Sequence, residues 1–135
     1  MQSTVFHEAV DAVSRKDCRY NPEAYIFLRE ALEATLKRRK KAKKDVGGHV
    51  AAPELLDGFR IHCLNEFGPM ALTVLHYWGV RTCEDIGHMV FNLVQAGAFG
   101  KTEEDTQDMF RMGFDFEEAF SAPFLPEASA AAQHQ

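Results

Sequence analysis

Six histidines and three cysteines are the side chains of this sequence best suited to ligate a metal or attack a substrate. Zinc sites usually pair their ligands a few residues apart, as in Cys-x-x-Cys or His-x-x-x-His. Here His49, His62, His76 and His88 are spread singly, as are Cys18, Cys63 and Cys83, so a site would have to be assembled from separate helices. His62 and Cys63 are adjacent, which on a helix turns them about 100° apart and away from each other. No Gly-x-Ser-x-Gly elbow presents a nucleophile. Gly100-Lys101-Thr102 matches the end of a phosphate-binding loop, but Gln95 stands where its first glycine belongs and no apolar strand leads into it. Glu103, Glu104, Asp105 and Asp108 lack the glycine and ligand alternation of a calcium loop and read as a solvated face. No cofactor is expected, and a metal-dependent enzyme would need His49, His76, Cys83 and Asp85 to meet in space.

Charge is the more informative feature. Lys37, Arg38, Arg39, Lys40, Lys41, Lys43 and Lys44 place seven of the 15 basic residues within eight positions, with no acid among them. Such a run neutralises the phosphates of RNA or DNA, or docks on an anionic protein face or membrane surface. Set apart from a net charge of -5, it leaves the rest of the chain strongly acidic, which opposes a wide nucleic-acid footprint. The opposite sign gathers between Phe99 and Glu118, where seven acids face only Lys101 and Arg111. Phe110, Phe114, Phe116, Phe120 and Phe124 punctuate the C-terminal third, in a stretch otherwise acidic. They are either core side chains strapping the domain together or, with Asp115, a docking surface rimmed by carboxylates. Patches of opposite sign on one chain also permit pairing between copies, so a homo-oligomer is a further expectation.

Helices must position these groups. Ser3 or Thr4 can cap a first helix whose Val5, Phe6, Ala9, Val10 and Val13 share one face and which ends near Lys16. Asn21-Pro22-Glu23 signals the start of a second, with a capping side chain, a first-turn proline and an acid on the helix dipole. Its stripe of Ala24, Tyr25, Leu28, Ala31, Leu32 and Leu36 gives way to the basic run, where repulsion between like charges predicts fraying and an exposed loop over 41–50. Pro53-Glu54 opens a third helix with Leu55, Leu56, Phe59, Cys63, Leu64 and Phe67, and Gly68-Pro69 leads into a fourth with Met70, Ala71, Val74, Leu75 and Trp78. Thr82 caps a fifth, with Glu84-Asp85 in its first turn and Ile86, Met89, Val90, Leu93 and Val94 inward, closed by Gly97. Two helices joined by a short glycine-containing turn also suit half of a winged helix, with 109–116 returning as a short strand of a β-hairpin.

The expected fold is therefore mainly α, about five helices in one compact domain over 1–125, followed by a flexible Ala/Gln/His tail at 126–135. A length of 135 residues with 46% hydrophobic residues is enough for one core. The first residues show no basic and apolar regions of a signal peptide, and the nearly uncharged stretch from Gly68 to Val80 is too short to span a membrane. Together with three widely separated cysteines, read as buried reduced thiols, this predicts a cytoplasmic protein.

The runs Tyr20-Asn21-Pro22-Glu23-Ala24-Tyr25, Phe67-Gly68-Pro69-Met70-Ala71, Glu84-Asp85-Ile86-Gly87, Val90-Phe91-Asn92-Leu93-Val94 and Phe114-Asp115-Phe116-Glu117-Glu118-Ala119-Phe120 together resemble an uncharacterised bacterial family. That family is restricted to planctomycete and verrucomicrobial lineages, and the resemblance covers roughly residues 5 to 125. It implies a free-standing bacterial protein and brings no activity, cofactor or site residue. The function expected from the residues is that of a non-enzymatic interaction or adaptor protein. It would engage a macromolecule, most simply another protein, through residues 37–44 and the acidic aromatic segment. The alternative is a winged-helix-like nucleic-acid-binding regulator with the fifth helix as reader, offering His88, Asn92 and Gln95 to the groove.

Overall fold

Proline, glycine and capping side chains divide the chain into helices nearly where their chemistry requires. The computed structural model describes residues 3–41, 50–99, 110, 111 and 113–125, and is mainly helical. Helix α1 spans Ser3–Lys16, α2 Pro22–Lys41, α3 Ala52–Phe67, α4 Ala71–Tyr77 and α5 Cys83–Gln95; a short α6 covers Phe116–Phe120. Single 3-10 turns occupy Gly68–Met70, between α3 and α4, and Ala122–Phe124, after α6. Of the exposed loop expected over 41–50, Lys41 is helical and Val50 is buried, and residues 42–49 lie outside the described residues, as do 100–109 of the acidic stretch and the tail at 126–135.

Local chemistry accounts for the boundaries. Asn21 Oδ1 accepts the Glu23 backbone N–H at 2.9 Å at the start of α2, satisfying one of the donors that every helix start leaves open. Thr82 and Asp85 form a reciprocal capping box on α5: Thr82 Oγ1 accepts from the Asp85 N–H at 3.2 Å, and Asp85 Oδ2 accepts from the Thr82 N–H at 3.2 Å. Gly79 ends the α4 turn at φ 87°, in the left-handed region, and lies so near the Arg19 carbonyl that a Cβ would come within 2.2 Å of it.

Helix α2 packs along α3, while α1 lies against α2 and α5. The α2/α3 crossing is close because Gly58 faces Thr35, which is buried and donates its hydroxyl to the Ala31 carbonyl at 2.8 Å. Phe6, Val10, Val13, Tyr25, Leu28, Leu55, Leu56, Phe59, Leu75, Ile86, Met89 and Leu93 fill the core. Not every stripe residue is inside: Val5 is 52% and Met70 55% exposed, at the edge of their helices.

Two expectations are corrected. No strand occurs among the described residues: within 109–116, Phe110 and Arg111 are helical and Phe116 opens α6, so the described part of this segment forms no hairpin arm. Asp115 selects the helix instead, its carboxylate accepting the Glu118 N–H at 3.0 Å. Of the cysteines, Cys63 and Cys83 are buried but Cys18 is exposed.

Candidate functional site

The basic run continues α2 instead of fraying before Lys41. Lys37, Arg38, Lys40 and Lys41 point to solvent over its last turns, where their charge is favoured by the carbonyl end of the helix. Arg39 differs from them. Its guanidinium meets the Glu54 carboxylate on α3 through Nη2–Oε1 at 2.5 Å and Nε–Oε2 at 3.3 Å, and its side chain is only 9% exposed. This forked pair fastens the basic end of α2 to the start of α3. Arg38 reaches back to Thr35 Oγ1 at 3.3 Å. Lys43 and Lys44 lie outside the described residues.

In the acidic aromatic segment Phe110, Phe116 and Phe120 are buried, and Phe114 is half-buried. Phe116 and Phe120 meet edge to face at 5.1 Å, with Phe114 at 5.7 and 5.8 Å from them. Phe110 rests on Gly87 of α5, where a Cβ would approach the Phe110 Cβ to 2.8 Å and its ring to 2.9 Å. Asp115 is the cap of α6. Of the five aromatics, Phe110, Phe116 and Phe120 are therefore core side chains, the first of the two readings open for them. Outward-facing apolar area at this end comes from Phe124 and Leu125, 45% and 49% exposed.

A polar network that no sequence spacing suggested joins the α1–α2 connection to α5. The Tyr20 hydroxyl donates to Asp85 Oδ1 at 2.6 Å and lies 3.0 Å from His88 Nδ1. Arg19 donates to Asp17 through Nε at 2.9 Å and Nη2 at 2.7 Å, and its cation lies over the Tyr20 ring at 5.1 Å. Asn92 donates to both Asp17 Oδ2 and Tyr25 Oη at 3.0 Å. The Arg19 hydrogen bonds, aided by Asn92, hold the Asp17 carboxyl well below the usual carboxylate range. Burial and the bond to Asp85 push the Tyr20 phenol well above its ordinary value. The partners stand 65 to 75 positions apart, and only the fold brings them together.

This network also uses two side chains expected to read nucleic acid. His88 and Asn92 turn toward Tyr20 and Asp17, leaving Gln95 exposed. Glu84 and Asp85 stand at the α5 N-terminus, Glu84 paired with Arg111 at 3.3 Å.

The remaining catalytic candidates are dispersed. His62 packs on the Phe27 ring at 4.7 Å, with Nε2 3.6 Å from Glu30. Burial pushes the Cys63 thiol well up and the Cys83 thiol to about 11, so both stay protonated near neutral pH. Cys83 donates to the Phe114 carbonyl at 3.4 Å. Among the described residues no three His, Cys, Asp or Glu side chains converge as a metal-binding group, and His49 lies outside them. No described helix is long and apolar enough to cross a membrane. Compared with known protein families, with curated proteins and with solved structures, the chain matches none.

Proposed function

We propose that this chain is a non-enzymatic interaction protein that engages an acidic face of a protein partner through the basic end of α2. The observation that carries this reading is the row of exposed cations Lys37, Arg38, Lys40 and Lys41, none of which makes an ion pair with a described residue. Arg39, gripped by Glu54, acts in this scheme as the anchor that aims the other four. Pre-set direction lowers the ordering cost of binding, and concentrated charge speeds encounter with an acidic surface. Attraction of this kind weakens as salt screens it.

The test is retention on heparin, an acidic surrogate, and capture of partners from a lysate at low and high salt. Replacing Lys37, Arg38, Lys40 and Lys41 with Gln is expected to lower the salt needed for heparin elution and to abolish low-salt capture. Arg39 is left in place so that the α2/α3 contact survives. Unchanged elution and capture would overturn the proposal. Capture dominated by RNA would transfer the same surface to nucleic acid, with a salt dependence set by the number of phosphates contacted.

Self-association is a second reading, supported by the exposed Glu117 and Glu118 on α6, which are opposite in sign to the α2 end. Mass in solution should then fall from a multiple of the chain to one chain as salt rises, and a single-chain mass at low salt would exclude it.

A further inference from the structure

At the other end of α2, a cleft of about 470 Å³ opens between the α1–α2 connection and the turn after α4. Its volume lies in the range of roughly 300–1,000 Å³ typical of small-molecule sites. The floor is backbone against backbone: the Arg19 carbonyl abuts Gly79, and the Asn21 N–H donates to the Trp78 carbonyl at 3.0 Å. Such a floor has little freedom to collapse.

The lining has a distinct chemistry. Arg19, Arg81 and His76 contribute to it, and no Asp or Glu does among the described residues, in a chain whose net charge is -5. Arg19 is held in place by Asp17 and by stacking on Tyr20, yet its side chain remains 57% exposed. The Arg81 side chain is exposed and makes no ion pair with a described residue. Tyr77 stands at the cleft 79% exposed, the most exposed of the large hydrophobic side chains among the described residues. Trp78 backs the cleft, its other side packed on Phe27 and Phe67 at 5.4 and 5.7 Å.

Forked guanidinium groups match phosphate geometry better than point-like ammonium groups do, and an exposed aromatic ring beside them offers a stacking platform for a planar base. We propose that this cleft binds a mononucleotide, with Arg19 and Arg81 on the phosphate and Tyr77 stacked on the base. The site is separate from the basic end of α2: the 20 residues of that helix place the two about 30 Å apart.

Trp78 is the single tryptophan of the chain, so its fluorescence reports on the cleft directly. Titration with adenosine monophosphate is expected to change it saturably, with heat of binding measured in parallel. Arg81→Gln and Tyr77→Ala alter exposed side chains and leave the core intact. Each is expected to weaken binding about tenfold or more, the scale of losing one charge-assisted or stacking contact. Adenosine and inorganic phosphate should each bind more weakly than the nucleotide. The Lys37, Arg38, Lys40 and Lys41→Gln protein should bind as the unmodified chain does. No saturable signal at millimolar nucleotide would overturn the proposal, as would equal binding by the Arg81→Gln protein or by adenosine. Loss of binding only in the basic-end variant would also overturn it, by moving the contact to the other end of α2.

Discussion

Asp17 shows how much of this protein is decided one side chain at a time. Its carboxylate takes two hydrogen bonds from the Arg19 side chain and one from Asn92, and these hold its pKa below the unfolded value of about 4. A carboxyl whose pKa is depressed by folding adds stability above its unfolded pKa and loses that contribution as pH falls through the folded one. Asp17→Asn is therefore expected to cost about 1.5–3 kcal/mol at neutral pH, the scale of hydrogen bonds to a charged group. The cost should begin to shrink only as pH falls below the unfolded value of about 4. Urea midpoints measured from pH 7 down to pH 2 check this: the difference should be constant near neutrality and should narrow steadily from about pH 4 to the acid end of the range. A constant difference across the range would show that Asp17 acts through shape and not through charge.

Between elements, the α2/α3 crossing matters most, because it carries the basic end that the proposed partner meets. A Cβ on Gly58 would fall 1.9 Å from Thr35 Oγ1 and 3.1 Å from Arg38 Nη2. Turning the Thr35 side chain aside would break its bond to Ala31, so the helices must separate. Gly58→Ala is expected to destabilise the fold by about 1–3 kcal/mol, the usual cost of overpacking. Thr35→Ala in the same chain should recover part of that loss by removing the clashing hydroxyl, a coupling that a double-mutant cycle measures directly. If separation disturbs the Arg39–Glu54 pair, heparin elution of the Gly58→Ala protein should shift too, although no exposed lysine has changed.

For the molecule as a whole, the C-terminal aromatics tie α6 into the helical body, with Phe120 fully buried and α6 in contact with α3 and α4. Phe120→Ala is expected to cost about 3–5 kcal/mol, as a large core truncation does. Because the aromatic cluster and the Asp17–Tyr20–Asp85 network link distant parts of one core, loss should come as a single transition. Near- and far-ultraviolet circular dichroism should follow the same curve. Separate transitions would mean that α6 is an appendage and not part of the core.

What the sequence determined by itself was local. Pro22 with Asn21, Thr82 with Asp85, and Gly79 and Gly97 mark helix ends because capping and backbone conformation depend on neighbours within a few residues. The apolar rhythm of Phe6, Val10 and Val13, or of Ile86, Met89 and Leu93, named inward faces for the same reason. A strand over 109–116 follows only from the helix-turn-helix spacing before it, whereas the Asp115 cap is a local signal for the helix that opens at Phe116. The charge run was visible, but not that Arg39 would be taken out of it by Glu54. Tertiary structure alone decided that Phe110, Phe116 and Phe120 are core, that His88 and Asn92 face Tyr20 and Asp17, and that Arg19, Tyr77 and Arg81 share a cleft. Those outcomes depend on groups brought together across tens of residues, and side chains so far apart in sequence meet only when helices have packed.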